Sequence, residues 1–139
     1  MFNHIMAPVD LNAVDKLSRA LDATADAAKH YGAKVTYVSA SNTVPTAVAH
    51  TPEEFKKKLA AFASDQADKH GIETDSHPLI MHDQRADLDH ALVEAAKTLD
   101  ADLIVMASHD PNFFDHFWAS NGGAVARDSH ASVMLVRGK

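Results

Sequence analysis

The chain has 139 residues and a mass of 15.0 kDa, the usual size of one globular domain and enough to bury a core without disulfides or a structural metal. Hydrophobic residues make up 46% and charged residues 23% of it, which excludes disordered, collagen-like and coiled-coil chains. Cysteine is absent, so a disulfide framework, a thiolate nucleophile and Cys-ligated zinc or iron–sulfur sites are excluded too.

Thirteen basic and nineteen acidic residues give a net charge of -6. Nucleic acid selects basic patches, and the one cationic cluster, Lys56-Lys57-Lys58, follows Glu53-Glu54 and reads as a solvated helix face. No nucleic-acid partner is expected. No apolar run approaches the roughly 20 residues of a membrane span. Met1 to Asp10 carries no Lys or Arg, unlike a secretory signal. These features lead us to expect a cytoplasmic protein without a membrane span. The ten histidines make the charge acid-sensitive below about pH 6.5.

In chain order, Phe2 to Asp10 reads as a short buried strand ending in an acid. Asn12 is placed to cap a helix. Val14, Leu17, Leu21, Ala25 and Ala28 recur at helical spacing, and Gly32 stands where a left-handed terminal residue belongs. Lys34 to Ser39 is β-branched and aromatic, a second strand. A connection with Pro45 follows, and Thr51-Pro52-Glu53-Glu54 is a capping-box helix start. Phe55, Leu59, Phe62 and Gln66 continue that helix up to Gly71. Thr74 to Met81 is a third strand, in which Pro78 points to an edge position or a late start. Leu88, Leu92, Ala95 and Leu99 mark a third helix, and Leu103 to Ala107 is the most apolar strand, expected in the sheet interior. A last helix near Gly122 to Ser129 and a last strand from Ser132 to Val136 complete the chain.

Five strands alternating with four helices predict an α/β fold: one open, mostly parallel sheet with helices on both faces, in a single domain over residues 1–139. In such a sheet ligands bind beyond the carboxyl ends of the strands, where strand order reverses. Those ends carry Asp10, Ser39-Ala40 and Ala107-Ser108-His109. Ser120-Asn121-Gly122-Gly123 opens the last helix, and a helix start with small residues suits phosphate.

The opening Ile5-Met6-Ala7-Pro8-Val9-Asp10, the stretch Ala101-Asp102-Leu103-Ile104-Val105-Met106-Ala107-Ser108-His109 and the closing Val133-Met134-Leu135-Val136-Arg137 together resemble the universal stress proteins of the UspA family, along essentially the whole chain. The resemblance implies strand order 3-2-1-4-5, a stress-response role and a homodimer built around the last strand. It also implies binding of ATP or AMP, with adenine against the first-strand acid and the second-strand backbone. The family signature after the fourth strand is G-x2-G-x9-G-S/T. By that alignment Asp10 is the first-strand acid and Ala40 the second-strand backbone position. Ala107 and Asp110 stand for the first two glycines, and Ala119-Ser120 for the final pair, one residue short. The sequence Ala107-Ser108-His109-Asp110-Pro111 followed by Ser120-Asn121 is similar to one branch of the family in which the first two glycines are also replaced. The candidate nucleotide-binding residues are therefore Asp10, Ala40, Ala107, Ser108, His109, Asp110, Ala119, Ser120, Asn121 and Gly122.

An alanine in place of glycine costs on the order of 1 kcal/mol only where φ is positive. A carboxylate at Asp110 repels a triphosphate unless a metal ion bridges them. The alternative is therefore a nucleotide-free interaction module on the same fold, with Phe113, Phe114, Phe117 and Trp118 as a patch for an unknown protein partner. Other chemistries lack their residues. A response-regulator receiver needs an acidic pair and a Lys at the last strand, where this chain has Asp10-Leu11-Asn12 and Arg137. His77, His82 and His90, or His109, Asp110 and His116, could approach each other, but no HExxH spacing occurs, and no metal is expected. No G-x-S-x-G elbow supports a hydrolase. A non-enzymatic role is expected, with slow ATP hydrolysis left open by the resemblance.

Overall fold

The computed structural model describes residues 1–42, 51–81, 88–108 and 121–138, with backbone alone at Asn42, Asn121 and Gly122. The elements are β1 (His4–Pro8), a 3-10 turn (Val14–Leu17), α1 (Ser18–Tyr31), β2 (Lys34–Asn42), α2 (Pro52–His70), β3 (Thr74–Met81), α3 (Leu88–Thr98), β4 (Leu103–Ala107), α4 (Asn121–Asp128) and β5 (Ser132–Val136). The strands form one five-stranded sheet of order β3-β2-β1-β4-β5, every pair parallel. Fold class, strand order and the edge position of the Pro78 strand match the sequence expectation.

Successive side chains of a strand point to opposite faces, and here both faces are covered. Ile5, Ala7 and Val9 of the first strand segment, Val35 and Tyr37 of β2, and Leu103 and Val105 of β4 face a core closed by α1 and α2. Met6, Val38, Ile104 and Met106 face a second core closed by α3 and α4. A sheet buried on both sides requires near-continuous apolar runs, which is why β1 and β4 look alike in sequence. Tyr37 is fully buried and meets the Phe62 ring edge-on, centroids 5.3 Å apart. Burial pushes its phenol up to about 12, and its hydroxyl has no hydrogen-bond partner among the described residues.

The helix ends follow local chemistry. The Glu54 N–H donates to Thr51 Oγ at 3.1 Å, the expected N-cap. Gly32 (φ 64) and Gly71 (φ 67) close α1 and α2 in the left-handed region, where a Cβ would be strained. The expectation for Asn12 needs correction. Helix α1 starts only at Ser18, after the 3-10 turn, and neither start carries a side-chain cap. The Asn12 N–H instead donates to Asp10 Oδ1 at 2.9 Å, so the acid caps its own turn. β2 also runs three residues beyond Ser39, paired with β3 through Asn42↔Met81.

Asp102 fastens the opposite end of the sheet. Its carboxylate accepts the N–H of Asn3 at 2.9 Å and of His4 at 3.1 Å. Its own N–H donates to the His4 carbonyl at 3.0 Å, and its carbonyl accepts the Ser132 N–H at 3.1 Å. One residue thus joins β1, β4 and β5. The His4 ring spans the neighbouring strand: Nδ1 lies 2.8 Å from the Leu99 carbonyl and Nε2 2.6 Å from Thr36 Oγ. Among the described residues no helix is long and apolar enough to cross a membrane.

Candidate functional site

The parting of β1 and β4 defines the site. β1 stays paired to β2 through Pro8↔Val38, and the Val9 N–H extends that pairing to the Val38 carbonyl at 2.8 Å. β4 stays paired to β5 through Ala107↔Val136. Between β1 and β4, however, the register covers only Ile5↔Leu103 and Met6↔Ile104. Beyond Met6 and Ile104 the two strands are no longer paired, and Pro8, the next β1 residue turned toward β4, has no N–H to continue the ladder. β1 is followed by a crossover to one side and β4 is reached by a crossover to the other, so the cleft lies at the topological switch point.

Asp10 stands at the β1 side of this cleft. It is 9% exposed, and its own turn holds it in place. Oδ1 accepts the Asn12 N–H, and its carbonyl accepts the Ala13 N–H at 3.0 Å. This is a carboxylate acceptor fixed before any ligand arrives. Ala40 is half-buried in β2, opposite Leu79, next to the buried Ser39. Ala107 and Ser108 stand at the β4 side, both half-buried. Ala107 closes β4, and its φ is not positive, so alanine replaces a signature glycine there without backbone strain.

The Ser108 N–H donates to the Val136 carbonyl at 2.7 Å, and Arg137 Nη1 donates to Ser108 Oγ at 3.1 Å. The sequence candidates did not include Arg137, because its partner lies 29 residues away. A cation directly after the last strand was the available signal. Asn121 and Gly122 open α4, within the Ser120 to Gly123 start expected from the sequence. An added Cβ at the adjacent Gly123 would meet nothing within 4 Å. His109, Asp110, Ala119 and Ser120 lie outside the described residues, as do Phe113, Phe114, Phe117 and Trp118.

The structure thus brings Asp10, Ala40, Ala107 and Ser108 to the carboxyl end of one sheet. Asp89, in the first turn of α3, is an acid that sequence reasoning missed, and its charged neighbours are Arg127 and Asp128 in the last turn of α4. Burial pushes the Asp89 carboxyl up, against the opposing pull of Arg127. Of the histidines considered as ligands, His77 lies on the edge strand β3 and His90 is exposed on α3, while His82 and His116 lie outside the described residues. Among the described residues no three His, Cys, Asp or Glu side chains gather as a metal site.

The fold has close counterparts among solved structures. A universal stress protein from Archaeoglobus fulgidus superposes with a TM-score of 0.70 at 21% identity, over 98% of this chain and 99% of that one. The same organism's universal stress protein in complex with dAMP gives a TM-score of 0.68 at 21% identity, over 96% and 97%. A universal stress protein in complex with cAMP gives 0.71 at 21% identity, over 99% and 98%. At these identities the likeness establishes the fold alone. The sequence model of the universal stress protein family matches residues 1–137, and the chain belongs to that family.

Proposed function

We propose that this chain is a non-enzymatic, cytoplasmic stress-response regulator that binds ATP or AMP in the cleft between β1 and β4. The observation that carries the proposal is the parting of those strands beside an acid already locked in place. Asp10 accepts the exocyclic amine of adenine, and the β2 backbone at Ala40 lies along the ring edge. Ala107, Ser108 and the α4 start at Asn121 and Gly122 lie on the sugar and phosphate side. The structures of relatives with dAMP and cAMP support an adenine nucleotide as the ligand class. The protein acts through its bound or empty state, as a homodimer joined along β5.

A second reading is favoured by one specific observation. Met134 and Leu135 are 41% and 40% exposed on β5, an apolar edge that serves association with or without nucleotide. On that reading the chain is a nucleotide-free interaction module, with the aromatic segment from Phe113 to Trp118 as a partner contact.

Native mass spectrometry of freshly purified protein, followed by calorimetric titration with AMP and ATP, separates the two. We expect a bound adenine nucleotide. We also expect Asp10→Ala to weaken binding by about tenfold, the scale of one lost hydrogen bond to a charged acceptor, with thermal melting as the control for its turn. No binding at millimolar nucleotide leaves the interaction module.

A further inference from the structure

We propose that Arg137 is the phosphate-reading residue of the cleft and that it is held ready by Ser108. The inference rests on the nucleotide reading above and names a residue that the family signature, which ends at the start of the last helix, does not include.

The sheet geometry places the pair. Ser108 follows Ile104 and Met106 at two-residue spacing, and those side chains face the α3–α4 core. Arg137 lies four residues, two such steps, after Val133, which packs on that core as well. Serine and arginine therefore extend from adjacent parallel strands on one face, one step beyond their paired ends. The Ser108 N–H on the Val136 carbonyl keeps those ends in register, and the Arg137–Ser108 contact lays the guanidinium across the end of β4.

Helix α4 covers that same face. Its eight residues span about 12 Å, and the five of β5 about 16 Å. Only residues 129–131 separate the two elements, so α4 runs back along β5 and begins at the carboxyl end, where Arg137 lies. Guanidinium and helix start thus lie toward the same end of the sheet. Among the described residues an added Cβ at Gly123 or at Gly138 would meet nothing within 4 Å.

Guanidinium carries five N–H donors in a planar fork matched to phosphate oxygens. A described residue, Ser108, engages one of them. The chain has a net charge of -6, which opposes a nucleotide phosphate at long range. A fixed cation at the cleft end reverses that field locally. Ser108 accepts from Nη1 and so orients the fork before ligand arrives, which lowers the ordering cost of binding.

The test uses the full chain and three probes: adenosine, AMP and inorganic pyrophosphate, each titrated by calorimetry at two salt concentrations. Wild type is compared with Arg137→Gln, Arg137→Lys and Ser108→Ala, with melting temperature as the check on folding. We expect Arg137→Gln to weaken AMP by at least tenfold and to flatten its salt dependence, while adenosine binds as in wild type. Arg137→Lys recovers part of the loss, because it keeps the charge without the fork. Ser108→Ala gives a smaller loss.

AMP affinity unchanged in Arg137→Gln overturns the proposal and leaves the nucleotide reading intact. Equal weakening of adenosine and AMP also overturns it, because it marks a structural role. A wild type that binds pyrophosphate through Arg137 but neither adenosine nor AMP supports the anion site and sinks the nucleotide reading. A wild type that binds none of the three probes overturns both.

Discussion

The two edges of the sheet are built in opposite ways. The β3 edge is closed chemically. The Val35 N–H donates to the Glu73 carbonyl, which fixes the register. In a parallel pair it directs the backbone groups of even-numbered β3 residues outward. One of those positions is Pro78, which has no N–H to offer. The outward N–H of Ser76 is taken by Asp75 Oδ1 at 2.8 Å, and Asp75 is also paired with Lys34 at 3.6 Å. Proline and charge are the standard means of blunting an edge strand. The β5 edge has neither. The Ser132 N–H donates inward to the Asp102 carbonyl, so Val133 and Leu135 point their backbone groups outward, without partners among the described residues. Met134 and Leu135 are also the exposed large side chains of that strand. Only the β3 edge is protected against pairing, and the open β5 edge is where the proposed second copy joins.

Moving the device of one edge to the other should have the largest effect. Leu135→Pro removes an outward N–H without touching the inward ladder. We expect the dimer to dissociate at least a hundredfold more readily, read as monomer mass by sedimentation equilibrium at micromolar protein, with circular dichroism unchanged. Leu135→Lys should do the same by placing like charges across the joint. A dimer that survives both variants would show that β5 does not carry association.

A smaller effect separates the two halves by pH. The Tyr37 phenol is held near 12 by burial between β2 and α2, above its ordinary value of 10. Folding therefore favours the protonated form. That contribution is intact below pH 10 and disappears as pH rises through about 10 to 12. Hydrogen exchange over this range should loosen amides of α2 and β3 before those of β4 and β5. Tyr37→Phe should remove the alkaline loss and leave the melting temperature at pH 7 unchanged or slightly higher, because the hydroxyl has no described partner to lose.

The smallest expected change comes from reopening the β3 edge. Pro78→Val restores an outward N–H beside an edge still guarded by Asp75. We expect the dimer to persist, with weak additional self-association only at high protein concentration, seen as a concentration-dependent sedimentation coefficient. Strong polymerisation of Pro78→Val would mean that proline alone closes this edge.

Much of this was legible in the residues themselves. Near-continuous apolar runs marked strands buried on both faces, and Thr51, Gly32 and Gly71 marked helix ends because their local chemistry admits few alternatives. Pro78 announced an edge. Strand order was different in kind: periodicity is silent on which strands are neighbours, and order 3-2-1-4-5 came from the family resemblance. Asn12 misled because an Asp two residues before it competes for the same turn, and the acid is the stronger acceptor. The extension of β2 to Asn42 was hidden by its polar sequence, which a strand next to an edge tolerates. Within the site, Asp10 was visible as the end of an apolar run. The Ser108–Arg137 contact was not, because it depends on the register of two strands that only the folded sheet brings together.

The clamp at Asp102 has a consequence for how the chain is made. β1 occupies the middle of the sheet, yet the carboxylate that takes its first N–H groups lies 98 and 99 residues further on. At a ribosomal pace of roughly 5–20 residues per second, that partner emerges on the order of 5–20 s later. β2 follows within the first third of the chain and can pair with β1 on one side almost at once. The other side of the central strand must wait, uncovered, until β4 arrives. Premature release, or a ribosomal pause before Asp102, would expose that side as an unpaired apolar edge.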